Sequence, residues 1–137
     1  MTSGEVDPVF GEVIYSYTRA QAIEDGELVD LTAWAKETGF RIPVAVTASL
    51  WTLIDADGWD ALKAIGQDTR GRAHDVLWML YLAAKRGGRR IAYKVIFLMP
   101  APHSPKGYKQ ETRDLIAVCG PGDNGEPVIT VMLPDDE

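Results

Sequence analysis

The longest hydrophobic pattern in the chain covers residues 73–86, AHDVLWMLYLAAKR. Ala73, Val76, Leu77, Leu80, Ala83 and Ala84 recur at the i, i+3, i+4, i+7 spacing of one helical face. Trp78, Met79, Tyr81 and Leu82 fill the other sides with apolar groups. This predicts a central helix that must be covered on most faces. Gly87-Gly88 supplies a stop, because glycine accepts the left-handed conformation that closes a helix. Lys85 and Arg86 fall in the last turn, where the helix dipole favours cations. Asp68 or Thr69 would open the element earlier, but Gly71 favours a start at Arg72 or Ala73.

Short elements precede this helix. Residues 12–17, EVIYSY, alternate like a strand. Thr18 is an N-cap candidate for the helix RAQAIED, which Gly26 closes. Residues 27–31 are extended, and Thr32 is a second N-cap candidate before AWAKET and Gly39. Residues 40–46, FRIPVAV, are extended, with Pro43 marking an edge or a strand start. Thr47 caps ASLWTLIDA, and WDALKAI gives one more short helix.

Beyond the central helix the period changes from 3.6 to 2. Residues 91–99, IAYKVIFLM, are apolar on both faces apart from Lys94, the pattern of a central, covered strand. Residues 111–118 and 128–133 make two more strands, joined by the turn GPGDNGEP. The expected fold is α+β: short N-terminal strand and helix elements, then a central helix (about 73–86) packed on a three-stranded antiparallel C-terminal meander. Residues 1–8 read as a flexible tail, 9–134 as one globular domain and 135–137 as an acidic tail.

At 137 residues the chain is long enough for one real core. No apolar run approaches a membrane span, and the start MTSGEVDPVF lacks the apolar stretch of a secretory signal. The lone Cys119 can form neither an internal disulfide nor a metal cluster, and its apolar strand context suggests a buried thiol. A cytoplasmic protein without membrane attachment is the expectation. Net charge is -6, but its distribution is uneven. Residues 76–110 contain no acid and seven bases, whereas the flanking segments are strongly acidic.

Four blocks resemble a known bacterial family: YSYTRAQAIEDGELVDLT, FRIPVAVT, DVLWM and GPGDNGEPVITVMLP. The family is a domain of unknown function found in genomes, plasmids, integrative elements and phages, and the resemblance covers most of the chain. It implies no activity. It implies a small accessory protein carried on mobile DNA, a class that often acts in plasmid maintenance or against host defence.

Several residues have both a functional and a plainer reading. Lys85, Arg86, Arg89, Arg90 and Lys94 lie within ten residues and form a candidate positive surface for a macromolecular partner, either a protein or a ribonucleoprotein. The plainer reading is dipole compensation, solvated turn residues and pairing with the acidic segments. Direct nucleic-acid binding is the weaker partner class, because the chain's pI is about 4.9. The acidic surplus is either a nucleic-acid-mimicking face or a source of solubility. The glycine-rich turn matches no phosphate loop.

The start IYSYTRAQAIEDGEL is loosely similar to ADP-ribosyltransferase-type domains. Ser16 or Arg19 would then have to serve with Glu126, and the usual His is missing. His74 and Asp75 are adjacent on the central helix, so they do not face each other as an acid/base pair. His103 reads as solvated. Trp34 or Trp59 is placed at an interface, which leaves room for an oligomer.

The expectation is therefore a non-enzymatic binding protein, in its finer form an inhibitor of a host defence complex of the anti-CRISPR or anti-restriction type. No cofactor, metal or catalytic set is assigned. The alternative is a small ADP-ribosyltransferase-like enzyme acting on a nucleotide-type ligand.

Overall fold

The computed structural model describes residues 4–7, 12–15 and 17–137. Strands β1 (Gly4–Asp7) and β2 (Glu12–Tyr15) pair antiparallel as a two-stranded sheet. Residues 4–7 are thus strand where a tail is expected, and residues 1–3 and 8 lie outside the described residues. Helix α1 (Arg19–Asp25) opens on a capping box. The Thr18 hydroxyl accepts from the Gln21 N–H at 3.0 Å, and the Gln21 side chain accepts from the Thr18 N–H at 2.9 Å.

Next come β3 (Leu28–Asp30), α2 (Thr32–Thr38), β4 (Val44–Thr47), α3 (Ala48–Ile54) and α4 (Asp60–Ala64). Thr47 caps α3 as expected, its hydroxyl accepting from the Leu50 N–H at 3.4 Å. Thr32 does not cap α2, because it is already the helix's first residue. Its hydroxyl instead donates to Asp30 Oδ1 at 2.5 Å and accepts from the Val44 N–H at 3.2 Å. That hydroxyl therefore ties the start of α2 to β4.

The central helix α5 spans Thr69–Ala84, one turn longer at its start than the sequence suggests. Asp68 is the cap, and its Oδ1 accepts from the Gly71 N–H at 2.6 Å. A Cβ at position 71 would lie 2.8 Å from that same oxygen. Gly71 therefore makes room for the cap that starts the helix, rather than delaying the start.

Strands β5 (Arg90–Pro100), β6 (Tyr108–Pro121) and β7 (Pro127–Met132) form the expected antiparallel meander. The two short extended segments β3 and β4 join it, giving a five-stranded mixed sheet of order β3-β4-β7-β6-β5. β4 runs parallel to β7, so Pro43 marks the start of an interior strand. α5 packs on this sheet, with Val76, Leu77 and Leu80 in one buried cluster with Tyr93, Val95 and Phe97. Leu50 and Ile54 of α3 complete that cluster with Val44 and Val46 of β4.

Two expectations are corrected. β5 is not a central strand covered on both faces; it is one of the two outer strands of the five-stranded sheet. Tyr93, Val95, Phe97 and Met99 are buried under α5, while Ala92, Lys94 and Ile96 on the opposite face are exposed. The acidic end is also no free tail. Asp136 Oδ2 accepts from the hydroxyls of Thr47 (2.8 Å) and Ser49 (2.5 Å), and Arg90 donates twice to Glu137 at 2.6 and 2.7 Å. No described helix is long and apolar enough to cross a membrane.

Candidate partner-binding surface

The structure divides the basic segment. Arg90 is paired with Glu137, and Lys94 with Asp114 directly across on β6. Both pairs are exposed, so each contributes little to stability. Lys85, Arg86 and Arg89 have no carboxylate at ion-pair distance among the described residues. Lys85 Nζ sits 5.6 Å from the Tyr81 ring centroid. Arg86 reaches back over the strand and donates to the Ala92 carbonyl at 3.3 Å.

Arg86 and Lys94 share a groove with apolar side chains of α5. Met79, Leu82 and Ala83 line it from the helix and Ala92 from the strand, enclosing ≈ 440 Å³. An adjoining depression of ≈ 450 Å³ continues along the strand and shares Met79 and Lys94 with the first. Trp78, Asp75 and Ile96 line this second part. Trp78 is 43% exposed, Met79 and Leu82 40% each, and Ile96 52%. These four are most of the large exposed apolar side chains of the described residues, and all border one groove. The groove is polarised. Arg86 stands at one end and Asp75 at the other, where burial is the main cause raising the Asp75 carboxyl above its usual range.

The strand that floors the groove has an unpaired edge. Antiparallel pairing alternates, so residues whose backbone groups bond to the neighbour strand are every second one. The Cys119 N–H donates to the Arg89 carbonyl at 2.7 Å, which assigns the odd-numbered residues of β5 to β6. The even-numbered residues therefore aim their N–H and C=O groups away from the sheet. Two carbonyls on this edge are capped by arginine: Ala92 by Arg86, and Leu98 by Arg72 at 2.7 Å. Between them, the N–H and C=O groups of Lys94 and Ile96 have no partner among the described residues.

The other sequence candidates are occupied in the fold. His74 stacks on Trp78, with ring centroids 6.4 Å apart and planes 9° from parallel. Beside it, a smaller cleft of ≈ 220 Å³ holds Arg70, ion-paired with Glu37 and 5.6 Å over the Trp34 ring. The Arg19 guanidinium donates to the Thr130 hydroxyl and the Ile129 carbonyl, both at 2.7 Å, and burial lowers its pKa against the opposing charges of Asp30, Asp123 and Glu126. Ser16 lies outside the described residues.

The turn GPGDNGEP is more than a hairpin connection. Asp123 accepts from the N–H groups of Arg19 (2.7 Å) and Ala20 (3.0 Å), so it caps the start of α1 from across the fold. Cys119 is half-buried, and Trp78 is more exposed than Trp59 or Trp34. Among the described residues, no group of three or more His, Cys, Asp or Glu is placed to hold a metal ion.

A family model matches residues 9–137, a family of unknown function (DUF6573), and the chain belongs to that family. No curated protein and no solved structure matches it.

Proposed function

We propose that this protein works by binding a macromolecular partner on the face formed by α5 and β5. The observation that carries this reading is the groove itself: Trp78, Met79 and Leu82 exposed along α5, Ile96 exposed at the β5 edge, and Arg86, which has no carboxylate partner among the described residues, at one end. Side chains of this type cost solubility when left in water, and because each is only about half exposed, covering it contributes about 1 kcal/mol. The surrounding bases supply steering and specificity. They belong to the segment singled out by its charge, Lys85, Arg86, Arg89, Arg90 and Lys94. Arg90 and Lys94 act as its rim, because their carboxylate partners already satisfy them.

The partner is a cytoplasmic protein or ribonucleoprotein. In its finer form, drawn from the mobile-DNA resemblance, the reading is an inhibitor that covers a working surface of a host defence complex. The test is capture from host extract with wild type, Leu82→Glu, and the double variant Arg86→Glu/Arg89→Glu, followed by mass spectrometry. A partner retained by wild type and lost from both variants supports the reading. A partner retained by all three, with all three folded, moves the site elsewhere.

A further inference from the structure

Resting on that reading, we infer that the groove takes an extended, acidic peptide segment of the partner, added as a sixth strand to the free edge of β5. Three observations converge. First, Lys94 and Ile96 present unpartnered N–H and C=O groups along the groove floor, an arrangement that invites strand addition. Second, the Arg86 and Arg72 caps on Ala92 and Leu98 mark the ends of the open stretch. These caps leave room for a segment about 20 Å long, or about six residues of strand. Third, apolar side chains of α5 overhang one side of that stretch, and Arg86, which has no carboxylate partner among the described residues, stands at one end.

These features specify the ligand. Alternate residues of the peptide face α5 and should be apolar, to pack on Trp78, Met79 and Leu82. A carboxylate belongs at the Arg86 end and is excluded at the Asp75 end. A second copy of this chain does not fit. Edge-to-edge pairing would set two β5 strands about 4.8 Å apart. The two α5 helices seated on them would then need the 8–10 Å that packed helices require. A single extended peptide has no such bulk. Nucleic acid would use the cations but not the edge amides or the apolar wall, and Asp75 would repel its phosphates.

The test uses the full chain and a random linear-peptide display library. Selected peptides are synthesised and then N-methylated at alternate residues. Strand addition predicts one set of N-methyl positions that lowers affinity at least about tenfold and an interleaved set that leaves it unchanged. Ile96→Asp and Leu82→Glu should each lower affinity by a similar factor, and an Arg86→Glu variant should lose the preference for acidic residues. Binders that need Leu82 but tolerate every N-methyl group would overturn strand addition while leaving the α5–β5 face as the binding site. Selected peptides that bind the variants as well as wild type, or an empty selection, would overturn the peptide ligand. Tight binding of a short DNA duplex that competes with the selected peptides would overturn it in favour of phosphate recognition.

Discussion

The guanidinium of Arg72 lies over the ring of Phe97, 4.6 Å from its centroid, and is 1% exposed. Among the described residues, no carboxylate hydrogen-bonds to it. Its charge is met by the carbonyls of Leu53 (2.7 Å) and Leu98 (2.7 Å), the side-chain oxygen of Gln67 (3.1 Å) and the ring face. Burial depresses its pKa, and Asp75 partly offsets that effect. One side chain thus ties the end of α3, the start of α5 and the edge of β5. Arg72→Ala should cost about 3 kcal/mol or more, because a buried and a half-buried carbonyl lose their donors and a cavity remains. Urea denaturation measures this, and a loss under about 1 kcal/mol would show that water or neighbours replace the guanidinium.

Asp123 links the turn between β6 and β7 to the first turn of α1. Asp123→Ala should destabilise by about 1 kcal/mol, the usual cost of a lost cap, and Asp123→Asn should recover only part of it, because its single amide oxygen replaces one of the two acceptors and its NH2 faces the other N–H. Thermal unfolding of the two variants separates this role from a solvated turn, for which neither change would register.

Two aspartates should move stability with pH in opposite directions. Burial raises the Asp75 carboxyl, so the fold favours its protonated form. Its stabilising contribution is complete below the unfolded pKa of about 3.9 and is lost as pH rises through the folded value. Asp75→Asn should therefore raise Tm at neutral pH and give no gain below about pH 3.9.

Asp136 behaves in reverse. Burial alone would raise its carboxyl, but donation from Ser49, Thr47 and the Leu133 N–H outweighs burial and lowers it. Its contribution is present above the unfolded value and disappears as acid protonates it in the fold. Asp136→Asn should lower Tm at neutral pH and converge on wild type in acid. Tm measured against pH for both variants checks each sign.

Much of the fold was legible because local chemistry decided it. Thr18 and Thr47 cap helices where their position announces it, and the last three strands follow their alternation. What stayed hidden depends on distant partners. Arg72 looks like any helix-surface cation until Leu53 and Leu98 close around it. The parallel pairing of β4 with β7 joins residues far apart in the chain, and nothing local in FRIPVAV specifies it.

β5 is the informative misreading. An apolar strand with little polar interruption reads as central, but β5 is an edge strand, and Ile96 stays exposed because it points to the face away from α5. Of the candidate site, the charge of Lys85, Arg86 and Arg89 was visible in the sequence, whereas the apolar wall beside it was not. Trp78, Met79 and Leu82 lie on a helix whose every side is apolar, so sequence could not say which side stays open.

The central claim is that β5 offers an open edge where a partner can bind. Residue-resolved amide hydrogen exchange on the free chain tests it most directly. The account predicts an alternation: fast exchange at Ala92, Lys94 and Ile96, and slow exchange at Ile91, Tyr93, Val95 and Phe97, with the fast set becoming protected when partner is added. Uniform protection along β5 in the free chain would mean that the edge is already covered, and would contradict the account.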